Sequence, residues 1–245
     1  MSEKIKADFR IGCCGFPVSR ALYFSTFRLV EVQQTFYEPP RVETLRRWRE
    51  EAPRDFEFSL KASQLITHQA NSPTYRRLKT PLSQKEKNLV GNFQLTEPTL
   101  RAWEGTLEAA RALQAKVVVF QCPASFRPTA ENTGRMRAFF SRIDRGGLLL
   151  CWEPRGPWPP ELVRQLCREL ELVHCVDPFQ TEPVYGSVRY FRLHGIGGYR
   201  YRYSDEELLR LRNLCTAEMV HYVLFNNTNM FEDAKRFLRI LGDGR

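Results

Sequence analysis

Residues that could transfer protons recur in this sequence within or directly after short apolar runs. Four of them carry a carboxylate or an imidazole: Glu31, Glu153, Asp177 and His194. Such groups move a proton to or from a reacting atom when their surroundings bring the pKa near the working pH. We therefore expect these four residues to be catalytic, with Glu153 or Asp177 as the acid or base and His194 as a proton shuttle.

Cationic and amide side chains accompany these groups at similar points of the chain. The candidates for substrate binding are Lys61, His68, Gln121, Arg155, Arg192, Tyr199, Asn226 and Asn227. Lysine and arginine bind phosphate or carboxylate groups through charge-assisted hydrogen bonds. We expect Lys61, Arg155 and Arg192 to hold an anionic group. Gln121 and Asn226 would orient the substrate.

The stretch from Val188 to Tyr203 places charge where a buried strand is expected. Alternation along its first half puts Arg192 and His194 on one face of the strand, together with Tyr190. A charge on a buried face requires a partner or a functional role, because its desolvation is costly. This stretch therefore predicts a strand that delivers polar groups to a site.

A glycine-broken loop follows this strand at residues 195–198 and continues into alternating aromatic and arginine residues. The aromatic members are Tyr199, Tyr201 and Tyr203, and the cations between them are Arg200 and Arg202. Aromatic faces next to guanidinium groups suit a nucleobase or a sugar that carries phosphate. The alternative is that these rings pack the loop against the rest of the protein.

Eight short apolar runs are the elements that must position these residues. They are Phe9–Cys13, Leu29–Val32, Phe56–Leu60, Val117–Gln121, Leu148–Trp152, Leu172–Val176, Val188–Leu193 and His221–Phe225. Between most of them, apolar residues recur at helical spacing. Eight strands alternating with helices predict one α/β domain over residues 1–245, a closed (β/α)8 TIM-type barrel. The alternative is an open doubly wound sheet, although no glycine-rich phosphate-binding motif follows any run.

One long polar segment interrupts the strand–helix alternation after the third run. Residues 63–97 include His68, the Tyr75-Arg76-Arg77 cluster and the basic pair Lys85 and Lys87. Connections of this length inside a compact domain are usually functional loops or disordered segments. We interpret 63–97 as a loop or lid on the carboxyl face of the barrel.

The polar residues of all these runs should meet at one end of the barrel. Period-two alternation assigns ten residues to inward or rim positions, namely Glu31, Gln33, Ser59, Lys61, Gln121, Glu153, Asp177, Arg192, His194 and Asn226. The carboxyl face carries the active site in TIM-barrel enzymes, so this rim is the predicted site. The alternative is a salt-bridged plug that serves only to specify the fold.

Metal and cysteine chemistry have weaker support in the sequence. We predict no cofactor and no metal, although a divalent metal bound by Glu31, Glu153, Asp177 and His194 is an alternative. The nearby cations Lys61 and Arg192 would neutralise those carboxylates. The seven cysteines form no C-x-x-C pair, and we interpret the adjacent Cys13 and Cys14 as packing residues, with a reactive or metal-binding pair as the alternative.

Charge and hydropathy limit the partners and the location of the protein. The formal net charge is +9 and the isoelectric point is near 9.3, which favours an anionic partner such as nucleic acid, although many arginines fit solvent-facing helix surfaces. No apolar run approaches the roughly 20 residues of a membrane span, and the first residues lack a signal-peptide core. We expect a cytoplasmic protein without a membrane partner.

Several longer motifs resemble the YecE-like family, also known as domain of unknown function 72. They include IGCCGF at 11–16, VEVQQTFYEPP at 30–40, FEFSLKASQLITH at 56–68, CWEPRGPW at 151–158, YFRLHG at 190–195 and VLFNNTNM at 223–230. The resemblance spans almost the whole chain and implies a TIM-type barrel with a motif-rich carboxyl face, but no established activity. The chain departs from the family pattern at Cys13-Cys14, where Thr-Ser is common, and at Gln33 or Gln34, where asparagine is usual.

These observations lead to one function hypothesis with two alternatives. We expect an enzyme, for example a hydrolase, that acts on a phosphate-bearing substrate such as a nucleotide or nucleic acid through acid/base or hydrolytic chemistry. A non-catalytic nucleic-acid-binding module is one alternative, because the net charge is +9. A carbohydrate-active barrel is the other, because carboxylates and aromatic residues occur together.

Overall fold

Eight parallel strands close into a barrel in the computed structural model, which describes residues 8–215 and 219–242. The strands are β1 (Asp8–Cys14), β2 (Leu29–Val32), β3 (Glu57–Lys61), β4 (Val117–Gln121), β5 (Leu149–Glu153), β6 (Val173–Val176), β7 (Arg189–Leu193) and β8 (Val220–Phe225). Strand β1 pairs with β2 on one side and with β8 on the other, which closes the barrel. The predicted (β/α)8 barrel is confirmed, and every predicted strand end lies within one residue of the observed one.

Helices connect most of the strands and cover the outside of the barrel. They are α1 (Arg20–Thr26), α2 (Gln34–Tyr37), α3 (Val42–Glu51), α4 (Gln64–Thr67), α5 (Gln84–Lys87), α6 (Glu97–Leu113), α7 (Ala130–Arg142), α8 (Pro160–Glu169), α9 (Asp205–Leu214) and α10 (Met230–Gly242). The connection between β6 and β7, residues 177–188, has no helix. Local sequence sets several helix starts; at α9, for example, Ser204 and Glu207 form a reciprocal capping box.

The barrel interior changes from apolar to polar along the strand direction. A small apolar cluster fills its middle and includes Leu29, Val119, Cys151 and Tyr190. The next inward positions toward the carboxyl ends are polar and buried: Glu31, Lys61, Glu153 and Arg192. Because side chains alternate along a strand, this change places the polar residues of separate strands in one layer.

Segment 63–97 is more structured than a single open loop. It contains α4, a short 3-10 helix at Pro73–Arg77, and α5. Backbone hydrogen bonds from Gly91 to Leu65 (2.7 Å) and from Phe93 to Ile66 (2.8 Å) join its two halves, and the Phe93 ring is fully buried. The segment is therefore anchored at both ends, while the lid function remains a prediction.

The two adjacent cysteines are packing residues in this structure. Cys13 is fully buried and Cys14 is 5% exposed. Burial raises the pKa of both thiols above the ordinary value, so both stay protonated and unreactive at neutral pH.

Across residues 8–215 and 219–242, no helix combines the length and the apolar character that a membrane crossing requires.

Candidate active site at the carboxyl face

Arg192 is the centre of the polar layer at the carboxyl face. Its side chain is fully buried, and Nη2 lies 2.8 Å from Oε1 of Glu31. Nη1 donates to Oε2 of Glu153 and, at 3.1 Å, to Oε1 of Gln121. Burial opposes the charge, but the two carboxylates raise the pKa of Arg192 well above its usual value. One guanidinium therefore links β7 with β2, β4 and β5.

Glu31 is enclosed on all sides by donors. Besides Arg192, its Oε1 accepts a hydrogen bond from Nε2 of Gln33, and its Oε2 accepts one from the hydroxyl of Tyr190 at 2.9 Å. The Tyr190 hydroxyl also lies 2.8 Å from Oγ of Ser59. With both oxygens occupied and no exposed surface, Glu31 is placed to fix Arg192, and its predicted catalytic role needs a rearrangement that frees an oxygen.

Glu153 connects this buried network to the cavity side. Its Oε1 accepts hydrogen bonds from Nε of Arg155 (2.9 Å) and from Nε2 of His194 (3.1 Å), while Oε2 is held by Arg192. Burial alone would raise the pKa of Glu153, but Arg192, the His194 hydrogen bond and Arg155 hold it well below the usual range. Glu153 is therefore ionised at neutral pH and does not suit the role of a general acid.

His194 is oriented through both nitrogens of its imidazole. Nε2 faces Glu153, and Nδ1 lies 3.1 Å from Nδ2 of Asn226. Burial lowers the pKa of His194, although Glu153 opposes this shift, so the ring is neutral at pH 7. Nε2 lies between an acceptor, Oε1 of Glu153, and a donor, Nη2 of Arg155 (2.5 Å); in the tautomer with the proton on Nε2 the hydrogen bond to Glu153 forms and Nδ1 keeps its lone pair. An imidazole held by a carboxylate in this way can act as a general base, because the carboxylate stabilises the imidazolium that forms.

Asp177 contacts backbone amides more than other side chains. Its Oδ1 accepts from the amide of Phe179 (3.1 Å), and its Oδ2 accepts from the amide of His194 (3.0 Å). Gln180 adds a side-chain contact to Oδ2 at 3.4 Å. Asp177 thus ties the start of the β6–β7 connection to the end of β7 and positions His194; its acid/base role remains a prediction.

Lys61 extends into the same layer from the end of β3. It is 8% exposed, and its Nζ lies 3.7 Å from the ring centroid of Phe36. Among the described residues, no carboxylate forms an ion pair with it, because Glu31 and Glu153 pair with Arg192. Burial and the nearby Arg192 lower the pKa of Lys61 to about 7, against the opposing effect of the two carboxylates.

His68 lies next to Lys61 across the ring of Phe36. Its ring is edge-on to Phe36 with centroids 5.0 Å apart, and Nδ1 lies 2.8 Å from Oγ1 of Thr67. Burial, together with Lys61 and Arg155, lowers the pKa of His68 to about 3. His68 is therefore a neutral hydrogen-bonding group at the mouth of the barrel.

Two predicted binding residues lie away from this cluster. Asn227 is fully buried, and its Nδ2 donates to Oδ2 of Asp233 (2.7 Å) and to the carbonyl of Tyr201 (2.8 Å), which anchors the loop after β7. Tyr199 is 58% exposed, so its ring lies in solvent. Tyr203 is buried and stacks on Phe179, so the aromatic loop is partly packed and partly free.

Two contributors to the site are absent from the predicted site residues. Tyr190 binds Glu31, and Phe36 covers Lys61. The alternation that places Arg192 inward also places Tyr190 inward, so spacing was sufficient to identify Tyr190 as a member of the site. The contact between Phe36 and Lys61 joins two separate connections and has no local sequence signal.

A cavity of about 480 Å³ opens beside the cluster, between the loops that follow β5 and β6. Its lining includes Glu153, Arg155, Trp158, His174, Asp177 and His194. Small-molecule sites usually occupy roughly 300–1,000 Å³. The cavity is therefore large enough for a substrate of metabolite size that reaches His194 and Arg155.

The described residues offer no suitable group of ligands for the metal site that the sequence left as an alternative. In the part of the chain that the structure describes, no three His, Cys, Asp or Glu side chains form a group that could hold a metal ion. The reason is that Arg192, Arg155 and backbone amides already occupy the carboxylate oxygens.

The family profile described as "Protein of unknown function DUF72" matches residues 19–244. The chain belongs to the DUF72 family. A search of the curated proteins finds no match to this DUF72 protein.

Solved structures of similar shape include other members of the family. A DUF72 protein from Enterococcus faecalis V583 is 21% identical with a TM-score of 0.71, and the match covers 97% of this chain and 99% of that one. A DUF72 protein from Thermotoga maritima MSB8 is also 21% identical, with a TM-score of 0.64 and coverage of 96% and 99%. The structure named D-psicose 3-epimerase is 12% identical with a TM-score of 0.58 and coverage of 96% and 97%. At these identities the likeness shows the barrel fold alone.

Proposed function

We propose that this DUF72 protein is an enzyme that binds a small phosphate-bearing substrate at the carboxyl face and performs acid/base chemistry on it. The layering of charge at the mouth carries this proposal. The carboxylates are deepest, with side-chain exposures of 0% for Glu31 and 6% for Glu153. His194 and Arg155 lie above them at 17% and 35%. Within this network a substrate meets Arg155 and His194 before Glu153 and Glu31, although Asp177 and Glu182 also line the cavity. The outermost position of Arg155 supports binding of an anion.

Arg155 is the proposed anchor for the phosphate group. Its Nε and Nη2 face Glu153, and Nη2 also lies 2.5 Å from Nε2 of His194, which fixes the plane of the guanidinium and leaves the two N–H donors of Nη1 for a phosphate. A guanidinium of fixed orientation binds two phosphate oxygens at once, and less side-chain entropy is lost because the group is already ordered. The protonated fraction of Lys61 adds positive charge to the same mouth.

The proposed proton acceptor is Nδ1 of His194. The Glu153 carboxylate holds the opposite nitrogen and stabilises the imidazolium that forms when Nδ1 accepts a proton. Asn226, which contacts Nδ1, would transfer its hydrogen bond to the substrate. Asp177 fixes the backbone of His194, so Asp177 acts as a positioning residue.

A carbohydrate substrate is the second candidate. The observation that favours it is the likeness of the fold to D-psicose 3-epimerase and to a xylose isomerase domain-containing protein of Salmonella typhimurium LT2. The two-carboxylate mechanism of glycoside hydrolysis has less support, since it requires a protonated carboxyl group and the pKa of Glu153 is held well below the usual range. A phosphorylated sugar would satisfy both candidates.

Titration calorimetry with matched ligands tests the proposed substrate class. We expect inorganic phosphate and ribose 5-phosphate to bind and ribose to bind at least tenfold more weakly. Equal affinity for ribose and ribose 5-phosphate would favour the carbohydrate candidate instead. Absence of binding by every phosphate compound at millimolar concentration would show that the proposal is wrong.

Turnover measurements separate an enzyme from a nucleic-acid-binding module. A panel of phosphate esters and sugar phosphates should contain a compound whose turnover disappears in His194→Gln. A binding module would instead bind oligonucleotides with an affinity that falls steeply with salt and does not depend on His194.

A further inference from the structure

Lys61 is an amine that the barrel isolates from every anionic partner among the described residues. Its side chain lies in the interior, yet the two nearest carboxylates pair with Arg192 instead. We propose that Lys61 is a nucleophile that forms an imine with a substrate carrying both a carbonyl group and an anionic group. This inference rests on the proposed function and specifies its substrate class.

Two contacts fix the position of the amine. Oγ1 of Thr35 donates a hydrogen bond of 2.7 Å to the carbonyl of Lys61, which ties α2 to the end of β3. The next residue, Phe36, is thereby placed with its ring 3.7 Å from Nζ. An aromatic face stabilises a cation weakly compared with a carboxylate, so it leaves the amine able to lose its proton. The geometry thus holds Nζ in place and keeps it reactive.

The charged groups around Nζ come from several elements. Arg192 on β7 and Arg155 after β5 repel the ammonium form, while Glu31 on β2 and Glu153 on β5 attract it. His68, beyond α4, is neutral. Burial and the cations outweigh the carboxylates and lower the pKa to about 7, so about half of the Lys61 side chains carry a free lone pair at pH 7. Desolvation next to another cation is an established way to activate a lysine nucleophile.

The proposed reaction is a condensation with loss of water. The lone pair of Nζ forms a bond to the carbonyl carbon, and the π electrons of the C=O bond move to oxygen, which takes up a proton from solvent. Nζ gives up one proton to His194, which returns it to the hydroxyl group, and this group leaves as water to give the protonated imine. No oxidant or reductant is required, and addition of water reverses the reaction. Arg155 would hold the anionic end of the substrate during these steps.

Reductive trapping tests this proposal. The protein is incubated with dihydroxyacetone phosphate, or with pyruvate as a carboxylate probe, and treated with sodium borohydride, which reduces an imine to a stable amine. Intact mass spectrometry should show one probe added per chain, and peptide mapping should place it on Lys61. The adduct should be absent without borohydride and in Lys61→Arg, and unchanged in Lys85→Gln, which replaces an exposed lysine.

A second measurement uses only the wild-type protein, so it stands if Lys61→Arg fails to fold. Brief labelling with acetic anhydride at several pH values should modify Lys61 half-maximally near pH 7, whereas ordinary lysines require a pH near 10.4. At pH 7 the rate at Lys61 should exceed that at Lys85 by at least about tenfold.

The outcomes distinguish this inference from the proposed function. If phosphate binds and turnover depends on His194, but neither probe is trapped on Lys61, the imine is excluded and the proposed function stands. Trapping spread evenly over surface lysines would equally exclude it. Selective trapping of both probes on Lys61 would support formation of the imine. It would also support a substrate that carries a carbonyl group and an anionic group.

Discussion

The two ends of the barrel interior both contain buried ion pairs, but they are built in opposite ways. At the amino end the buried charge is a carboxylate, Glu57, which contacts Arg10 (2.9 Å), Lys116 (3.1 Å) and the hydroxyl of Tyr222 (2.9 Å). Both cations extend to solvent, with side-chain exposures of 33% for Arg10 and 64% for Lys116. The amino end is thus closed by one buried anion and solvated partners.

At the carboxyl end the central charge is the cation, and its partners are buried as well. Arg192 is enclosed by Glu31 and Glu153, and a further tier formed by Lys61, Arg155 and His194 lies above them. The amino end shows that a single ion-pair cluster is sufficient to close the barrel. The further tier at the carboxyl end is not needed for closure, and this surplus is the strongest argument for a function there.

The largest expected difference between the two ends is the effect of removing the cation. Arg192→Met leaves two buried carboxylates without their shared partner and should lower the free energy of unfolding by about 3–5 kcal/mol. Arg10→Met is the matched variant and should cost no more than about 1 kcal/mol, since Glu57 keeps Lys116 and Tyr222. Urea denaturation measures both values. Equal losses would contradict the contrast between the ends.

Replacement of a carboxylate at each end should separate activity from stability. Glu153→Gln should abolish turnover and also lower the free energy of unfolding by about 1–3 kcal/mol, because Arg192 loses one of its two anionic partners. Glu57→Gln should lower stability and leave turnover unchanged. Turnover on the substrate found in the phosphate panel and urea denaturation give the two readouts.

His194→Gln is the control for this pair of variants. It removes the proposed proton acceptor and the contacts of its ring with Glu153, Arg155 and Asn226, while the ion pair between Arg192 and Glu153 stays, so we expect loss of turnover with only about 1 kcal/mol of destabilisation. If turnover persists in Glu153→Gln while stability falls, the carboxyl-end network serves the fold alone.

The fold was predictable from sequence because its signals are local and repeated. Apolar runs of strand length recur with helical patterns between them, and alternation within a run decides which residues face inward. The same rule correctly placed Arg192, Glu153 and Lys61 in the interior. Convergence of these residues then follows from closure of the barrel.

The partners of each residue could not be predicted, since they depend on contacts between distant segments. Asp177 lines the cavity, but the amides of Phe179 and His194 occupy its oxygens, so it positions backbone. Asn226 and Asn227 are adjacent, yet one contacts His194 and the other anchors a loop to Asp233. Spacing indicates which face a residue occupies, whereas packing determines what it contacts there.

Anion binding should depend on the carboxyl end alone. Arg155→Gln should weaken binding of inorganic phosphate by roughly 10- to 100-fold, which corresponds to the loss of about 1.5–3 kcal/mol from a charge-assisted hydrogen bond. Lys116→Gln removes an equal charge at the amino end and should leave the affinity unchanged. Titration calorimetry at constant ionic strength measures both. A similar loss in the two variants would mean that phosphate responds to net charge and not to a built site.

The last expected effect is the pH dependence that His68 confers on stability. The pKa of His68 is about 3 in the folded protein, while the unfolded chain has the ordinary value of about 6.5. The folded state therefore binds fewer protons between these values, and its stability is fully present above about pH 6.5 and declines as the pH falls toward 3. His68→Gln should reduce this decline in urea denaturation between pH 7 and pH 5, where carboxylates stay ionised. An unchanged slope would mean that folding does not lower the pKa of His68, and the mouth would then gain a third cation beside Lys61 and Arg155 below about pH 6.5.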